Sequence, residues 1–197
     1  MMIRSNYNLL AIFILSALTG SCSKKGLKLS PVTYEQFEAF VDATAYVTDA
    51  ERYGWSIVQV DVYDFKKVDG ATWRMPDGLS QPISKLLPVT QVSFNDAIAY
   101  CEWVGKRLPT YEEYWKLIAS DTRPIVSDNL LPISEVDQVN TLGNVWEITS
   151  STISEGVRLA GGSVFCSPNT CYGTVSDREL YVDKETGNIH IGFAVLD

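Results

Sequence analysis

Two cysteines in the C-terminal part of the chain lie close enough in sequence to do chemistry together. Cys166 and Cys171 are separated by four residues and follow a run of small residues that ends at Ser163. Thiolates are soft ligands and favour soft metal ions. In an exported protein the same pair also readily forms a structural disulfide that closes a small loop. The pattern therefore indicates a metal site or a disulfide, and the residue types alone leave both open.

The first residues of the chain indicate export and a lipid anchor. A basic residue precedes an apolar run at residues 9–15, which is too short for a membrane span. Residues 18–22, with the sequence LTGSC, are similar to a bacterial lipobox. We therefore expect residues 1–21 to be a signal peptide, Cys22 to carry lipid, and residues 22–30 to form a polar tether. The chain would then be an exported, membrane-anchored lipoprotein of the bacterial cell envelope. The alternative is a plain signal peptide with an incidental cysteine.

Composition and charge indicate one acidic globular domain, residues 31–197. The chain of 197 residues is 46% hydrophobic and 20% charged, and this length has room for one domain with a sizeable core. The net charge of −8 argues against nucleic acid as a partner, because phosphate binding needs clustered Lys and Arg.

Cap signals and short extended runs predict the secondary structure. Thr33, Ser93 and Thr110 each have an acidic or amide residue three positions on, followed by apolar residues at helical spacing. Short extended runs cover residues 56–63, 158–165 and 189–196. Few helices, several short strands and many turn signals between them predict an α+β fold with little regular structure.

A series of short motifs runs in order from about residue 34 to the end of the chain. The motifs are Glu35-Gln36-Phe37, Gly70-Ala71-x-Trp73-Arg74-x-Pro76-x-Gly78, Ser93-x-Asn95-Asp96-Ala97, Gly105-Lys106-Arg107-Leu108-Pro109-Thr110, Gly143-Asn144-Val145-Trp146-Glu147, Gly161-Gly162-Ser163 and Ile191-Gly192-Phe193. In these motifs the chain resembles the formylglycine-generating (sulfatase-modifying factor) family. The resemblance implies that family's loop-rich variant of the C-type-lectin-like fold, with a small antiparallel sheet and a few short helices.

The resemblance also predicts which side chains are buried. Those expected in the core are Trp103, Leu108, Trp146 and Phe193. Cys101 lies on the apolar stripe of the second predicted helix, where a free cysteine packs as a small hydrophobe. Some family members bridge this position to a cysteine near the C-terminus, where this chain has Val195. We therefore expect Cys101 to be buried and unreactive.

The family's chemistry is carried by a cysteine pair that follows Gly-Gly-Ser. In aerobic members the pair binds Cu(I), a substrate cysteine joins as a further ligand, and O2 converts the substrate thiol into an aldehyde. The resemblance implies that Cys166 and Cys171 bind copper and that Ser163 places a hydroxyl near it. Soft thiolates suit Cu(I), and only a deprotonated thiol is a ligand. The implied function is a copper-dependent oxidoreductase that acts on a cysteine of an exported protein or peptide.

Residues 143–147 resemble a structural calcium loop of the same family. The implied ligands are the Asn144 amide oxygen, the Glu147 carboxylate and the backbone carbonyls of Gly143 and Val145, a set of oxygens that suits a hard cation. The alternative is a tight turn that leads into a strand and places Trp146 in the core.

At several positions the chain departs from the family pattern. Ser167 stands where the family usually has His, residues 172–175 read Tyr-Gly-Thr-Val in place of Tyr-Arg-x-Arg, and Ala194 replaces the closing Arg. Because these arginines help to build the substrate groove, the departures favour a second hypothesis, a non-catalytic envelope lipoprotein that uses the fold as a binding scaffold. His190, the only histidine, stands where the family often has Asn. It either faces the groove or is an ordinary satisfied residue.

Overall fold

The computed structural model of the chain describes residues 27–61, 64–118, 129–133, 143–165 and 180–196. In chain order the elements are β1 (Leu29–Pro31), α1 (Tyr34–Thr44), α2 (Asp49–Tyr53), β2 (Trp55–Asp61), β3 (Asp64–Asp69), α3 (Phe94–Val104), α4 (Tyr111–Ile118), β4 (Trp146–Ile153), β5 (Gly156–Gly161), β6 (Leu180–Val182), β7 (Ile191–Gly192) and β8 (Ala194–Leu196). These short helices and small sheets confirm the predicted α+β fold.

Local hydrogen bonds at their N-terminal ends define the helices. At α1, α2 and α3 the hydroxyls of Thr33, Thr48 and Ser93 accept a backbone N–H from the first turn, and a side chain of that turn accepts in return. Thr110 and Glu113 make the same reciprocal pair at α4. The three predicted helices are therefore confirmed. Helix α2 was not predicted, although Thr48 begins the same sequence pattern.

The described strands form three small sheets. β1 pairs with β8, β2 pairs with β3, and the largest sheet has the order β6-β5-β4-β7. Every pairing is antiparallel except that of β4 with β7. The predicted strand at residues 56–63 corresponds to β2, and the one at residues 189–196 is divided. Its first part is β7 beside β4 and its second part is β8 beside β1, with buried Phe193 between them.

The predicted strand at residues 158–165 corresponds to β5, which begins earlier and ends at Gly161. Gly161 has a φ of +86°, outside the extended region that a strand requires. A Cβ at this position would lie 2.6 Å from the Tyr114 hydroxyl, so a larger residue does not fit. The chain therefore leaves the sheet at this glycine, two residues before Ser163.

One hydrophobic core joins the helices to the largest sheet. The Phe37 ring lies 5.3 Å from the Trp73 ring, 5.9 Å from Tyr100 and 6.3 Å from Phe193, distances at which aromatic rings attract one another. Trp146 of β4 belongs to the same cluster of buried residues. Helices from one part of the sequence and strands from another thus share this core, and a second, smaller cluster packs α4 against β1, β5 and β8.

The predictions of burial are largely confirmed. Leu108, Trp146 and Phe193 are buried, and so is Cys101, whose thiol pKa burial raises to about 12. The prediction for Trp103 is wrong, because its side chain is 44% exposed. Its ring lies against Phe40 and Tyr100 at the margin of the core and covers them from outside.

None of the helices in the described ranges is long and apolar enough to cross a membrane.

A pair of buried carboxyl groups connects α2 to α3. Asp96 accepts hydrogen bonds from the Ser93 N–H (2.8 Å), the Asp49 N–H (3.1 Å) and the Tyr46 hydroxyl (3.1 Å). Asp49 in turn accepts from the Ser93 hydroxyl at 2.6 Å and pairs with Arg52. Burial raises the pKa of Asp96 to about 6. The network holds the starts of two helices against each other.

Candidate functional site

The candidate site lies where three strands of the largest sheet meet. Trp146, the first residue of β4, pairs with the last residue of β5 and the first residue of β7. Its N–H donates to the His190 carbonyl at 2.9 Å, and the Val164 N–H donates to the Asn144 carbonyl at 3.2 Å. This register brings the segment of Ser163, the segment of Asn144 and the start of β7 side by side.

Ser163 and His190 form a buried polar pair at this junction. The Ser163 Oγ lies 2.8 Å from the His190 Nδ1, and the two residues are 0% and 6% exposed. The Phe165 N–H also donates to the Ser163 Oγ at 3.3 Å, and the Phe165 ring packs edge-on against the imidazole at 5.3 Å. His190 is therefore turned into the protein and holds the serine that the resemblance assigns to the site.

The imidazole of His190 is neutral over the physiological pH range. Burial lowers the pKa of His190 to about 4, well below the usual value for histidine. The ring is therefore a hydrogen-bonding group with no charge to contribute. Sequence analysis left its role open, since Ser163 is 27 residues away in the chain and only the strand register brings the two together.

The residues expected to bind calcium form a tight turn before β4. Asn144 has a φ of +67°, and its amide group exchanges two hydrogen bonds of 2.8 Å with the backbone of Leu131. The Gly143 carbonyl accepts from the Val145 N–H at 2.8 Å. Two of the expected ligand oxygens are thus already used as hydrogen-bond acceptors, and Trp146 lies in the core as the alternative interpretation requires.

Glu147 is the one expected calcium ligand whose environment fits a cation. Its side chain is buried, and its Oε2 has no hydrogen-bond partner among the described residues. Burial raises the pKa of Glu147 to about 8. A buried carboxylate needs a proton or a cation to balance it. Within the described ranges, no group of three or more His, Cys, Asp or Glu side chains could hold a metal ion.

The other expected site residues lie outside the described residues. These are Cys166 and Cys171 of the proposed copper site and Cys22 of the proposed anchor. The described residues stop at Phe165 and resume at Leu180, so the Ser163–His190 pair is the part of the candidate active site whose geometry is known.

A cavity of about 480 Å³ adjoins the strand that carries His190. It is lined mainly by apolar residues, among them Pro82, Ile83, Leu87, Leu130 and Ile189. Ile189 directly precedes His190. The cavity has the size of a typical ligand pocket and a mostly apolar wall.

Comparison with known families shows which family domain the chain contains. Residues 26–123 match the profile of the sulfatase-modifying factor enzyme 1-like domain. The chain contains a sulfatase-modifying factor domain. The predicted resemblance is confirmed, and the helices α1–α4 with their caps fall within the matched segment.

Named relatives of this chain include proteins named as formylglycine-generating enzymes and proteins named as inactive ones. The formylglycine-generating enzyme of Thermomonospora curvata is 46% identical over 105 residues, which are 45% of this chain and 34% of that protein. The inactive C-alpha-formylglycine-generating enzyme 2 of Bos taurus is 33% identical, over 79% of this chain and 55% of the relative. The formylglycine-generating enzyme of Mycobacterium tuberculosis is 27% identical, over 83% of this chain and 84% of the relative. Against the first two relatives the chain spans about a third to about half of their length.

A solved structure shares the fold of this chain. The structure of PvdO from Pseudomonas aeruginosa superimposes with a TM-score of 0.55 at 15% sequence identity, and the match covers 84% of this chain and 77% of PvdO. At this identity the likeness concerns the fold alone.

The matched family segment and the candidate site occupy different parts of the sequence. The family profile ends at residue 123, and every residue expected to bind metal or to take part in catalysis lies after that point. Ser163, His190 and the two cysteines therefore have to be judged on their own contacts and chemistry.

Proposed function

We propose that this protein is a formylglycine-generating-type oxidoreductase that oxidises a cysteine side chain of an exported protein. Cys166 and Cys171 would hold Cu(I), and Ser163 would present its hydroxyl to the reacting sulfur. The observation that carries the proposal is the buried hydroxyl of Ser163, which is hydrogen-bonded to the His190 ring. Ser163 lies three residues before Cys166 in the sequence. A surface serine in a plain loop would not need such a partner.

The proposed reaction balances when a thiol reductant takes part. The substrate cysteine loses its sulfur as hydrogen sulfide and gains an aldehyde oxygen from O2. The other oxygen atom leaves as water, and two reductant thiols supply the remaining two electrons and protons as they form a disulfide. Bound copper would supply the centre at which the substrate thiolate and O2 meet, and soft thiolates are the donors that select Cu(I).

The protein's own residues would position the substrate and exclude water. Ser163 is fully buried, so a sulfur that reaches its hydroxyl has left bulk solvent. A hydrogen bond in such a low-dielectric site is stronger than one in water. The apolar cavity beside Ile189 would accept the flanking chain of the substrate.

Calcium is proposed as a structural partner of Glu147. An oxygen ligand set built on a buried carboxylate suits this hard cation. Glu147 would be the charged ligand, with the remaining oxygens from Gly143, Asn144 and Val145. If calcium binds, it should raise the thermal midpoint of the wild-type protein and leave that of Glu147→Gln unchanged. Equal midpoints with calcium and with a chelator in the wild type would remove calcium from the account.

Export and membrane anchoring complete the proposal. Residues 1–21 would be removed as a signal peptide, lipid on Cys22 would hold residues 31–197 at the membrane, and the substrate would be an exported protein. In intact cells the wild type should fractionate with membranes, and Cys22→Ser should be released or remain unprocessed. A fully processed Cys22→Ser protein that stays with the membrane would remove the lipid anchor.

A second candidate function is a non-catalytic binding scaffold in the cell envelope. Its support is the 33% identity to a relative that is named inactive, together with Gly173, Thr174 and Val175 in place of the family's arginine-containing run. A scaffold would keep the fold and the buried Ser163–His190 pair but would not turn over a thiol.

A peptide oxidation assay separates the two functions. Purified protein, Cu(I), O2 and a dithiol reductant are incubated with cysteine peptides of varied flanking sequence, and mass spectrometry follows conversion of cysteine to aldehyde. The enzyme predicts a catalytic yield with at least one peptide and none for Cys166→Ala or Cys171→Ala. A Cys101→Ala variant is the matched control, because that cysteine is buried in the hydrophobic core and is not one of the expected site residues, so activity should remain. Copper uptake without conversion of any peptide would favour the scaffold.

A further inference from the structure

Gln91 directly follows Thr90, a residue of the cavity wall, and has two features that an ordinary core residue lacks. It is fully buried, and its φ of +59° lies in the left-handed region, which residues other than glycine rarely adopt. Its side-chain Oε1 is buried without a hydrogen-bond partner among the described residues. Such a conformation persists only where the surrounding structure enforces it, and it is most frequent at functional sites.

The side chain of Gln91 joins two separate segments of the chain. Its Nε2 donates to the Pro76 carbonyl at 2.5 Å and to the Ile57 carbonyl at 3.1 Å, which uses both amide protons. The Ile57 carbonyl also accepts the Ile189 N–H at 3.1 Å. Pro76 and Ile189 both line the cavity. One amide group therefore fixes two wall residues relative to each other.

The backbone of Gln91 adds to the same connection. Its N–H donates to the Asn188 carbonyl at 3.1 Å. A Cβ on Gly187 would lie 2.6 Å from the carbonyl carbon of Gln91, so the two backbones are in direct contact. Ile189 comes next in the chain and leads to His190 of the candidate site. Gln91 therefore holds the cavity wall and the segment that carries His190 together.

The lining of the cavity favours a ligand that is apolar and carries no negative charge. Most of the described wall residues are apolar, and its volume of about 480 Å³ has room for a large side chain. Asp77 is the only charged residue in the described part of the wall. Since that part has no Lys or Arg, nothing there offsets the repulsion between this carboxylate and an anionic ligand.

We propose that Gln91 is a positioning residue that holds the cavity open for one large apolar side chain of the peptide substrate. The inference rests on the proposed function, in which a peptide cysteine reaches the site at Ser163 and His190. The cavity adjoins that site through Ile189, which directly precedes His190. A side chain close to the reacting cysteine is therefore the occupant that this place in the fold favours.

Peptides that cannot react test the cavity as a binding site. A serine takes the place of the substrate cysteine, and one leucine is moved through the three positions on either side of it in an otherwise alanine and glycine background. Fluorescence anisotropy gives the dissociation constant of each labelled peptide. We expect one leucine position to bind about tenfold more tightly than the all-alanine peptide, because more apolar surface is buried. Equal affinities at every position would overturn the proposal.

Ile83 allows the cavity to be changed with little effect on the fold. Its side chain lines the cavity and is 95% exposed. Ile83→Asp places a charge in an apolar wall, so the leucine preference should fall to about threefold or less. Leu79→Asp is the matched control, because Leu79 is 82% exposed and lies outside the described lining. A full preference in Ile83→Asp would show that the leucine binds elsewhere.

Two changes at position 91 test the role of the amide group. Gln91→Met keeps the length of the side chain and removes both donors. Gln91→Asn suits the left-handed backbone but has an amide too short to reach both carbonyls, and it serves if the methionine variant does not fold. In each folded variant the leucine preference should fall to about threefold or less, because Pro76 and Ile189 are no longer held together.

The control for general destabilisation is Thr33→Ala, the cap change at α1, which should keep the full preference. A folded variant of Gln91 with the full preference would overturn the positioning role. Loss of folding in both variants would also overturn it, because Gln91 would then be needed for the fold as a whole.

The same peptides separate this inference from the proposed function. If the leucine preference and its dependence on Gln91 and Ile83 appear but no cysteine peptide is oxidised, the oxidoreductase fails and the cavity is the binding site of a scaffold. If cysteine peptides are oxidised equally well whatever residue flanks the cysteine, the proposed function stands and the role of Gln91 and its cavity fails.

Discussion

The helix caps and the candidate site differ in how far apart in the sequence their hydrogen-bond partners lie. At α1 and α3 the cap partners, Thr33 with Gln36 and Ser93 with Asp96, are three residues apart. At the site Ser163 meets His190 across 27 residues, and Asn144 meets Leu131 across 13. Local contacts can be predicted from neighbouring residues. Contacts at the site exist only after the strands have paired, so a family signal carried by α1–α4 says little about them.

The two regions also differ in how a buried carboxyl group is hydrogen-bonded. Asp96 among the helices accepts hydrogen bonds from Ser93, Asp49 and Tyr46, whereas the Glu147 Oε2 in the sheet has no partner among the described residues. Burial raises both pKa values, to about 6 for Asp96 and about 8 for Glu147. The carboxyl group of Asp96 is satisfied by hydrogen bonds within the protein, whereas that of Glu147 needs a proton or a cation.

The largest expected effect tests whether these regions share one core. Phe37→Ala removes a ring from the helical side, and Trp146→Ala removes one from the sheet, and both belong to the same cluster. Each should cost about 3–5 kcal/mol of unfolding free energy, measured by urea denaturation. Both variants should still unfold in a single transition, because neither region has a core of its own. Two separate transitions would show that the regions are independent.

The next effect sharpens the contrast between the carboxyl groups. Asp96→Ala leaves buried donors on Ser93, Asp49 and Tyr46 without an acceptor and should cost about 2–4 kcal/mol. Without calcium the Glu147 carboxyl, with a pKa of about 8, is mostly protonated at pH 7, and its Oε2 has no partner among the described residues. In a chelator Glu147→Gln should therefore cost less than about 1 kcal/mol. Urea midpoints of both variants give the comparison. Equal losses would mean that the Glu147 carboxylate has protein partners of comparable strength.

A smaller effect concerns the pH dependence that His190 introduces. Its pKa of about 4 in the fold lies below the value of about 6.5 for an unfolded histidine. Between these values only the unfolded chain takes up the proton, so the stabilising contribution is complete above about pH 6.5 and declines as the pH falls toward 4. From about pH 7.5 to about pH 5 the wild type should lose about 2 kcal/mol relative to His190→Asn. The same pH dependence in both proteins would show that the ring is not buried as a neutral group.

The smallest effect belongs to a local cap. Thr33→Ala removes the hydroxyl that accepts the Gln36 N–H at the start of α1 and should cost about 1 kcal/mol. Thr33→Ser keeps the hydroxyl and serves as the control, with a loss of no more than a few tenths. A loss from Thr33→Ala as large as that from Phe37→Ala would mean that caps, and not the shared core, stabilise the helical region.

What could be predicted from sequence follows the same division. The cap residues Thr33, Ser93 and Thr110 correctly predicted three helices, because each cap signal lies within one helical turn. Helix α2 has the same signal at Thr48 but only five residues, too few for an apolar stripe to mark it. The burial of Trp103 was mispredicted because it was inferred from motif order, and a motif does not show that this side chain lies at the margin of the core, against Phe40 and Tyr100.

The site could be predicted only in part. Motif order identified Ser163, Asn144 and Glu147, and they lie in neighbouring segments of the described structure. The partnership of Ser163 with His190 and of Asn144 with Leu131 could not be predicted, because both depend on strand register and on a turn at positive φ. A run of β-branched residues in β4 was a signal for that strand, and its recognition would have placed Glu147 in the sheet.

A Cu(I) titration of the reduced protein tests the central claim most directly. Under anaerobic conditions with both thiols free, the account predicts one tightly bound Cu(I) per chain, held far more strongly than zinc. Cys166→Ala and Cys171→Ala should each abolish this binding while their urea unfolding stays close to that of the wild type. If the pair is only structural, each variant should instead lose about 2–4 kcal/mol of stability under oxidising conditions. Failure of the reduced wild-type protein to bind Cu(I) would contradict the proposed copper-dependent oxidation.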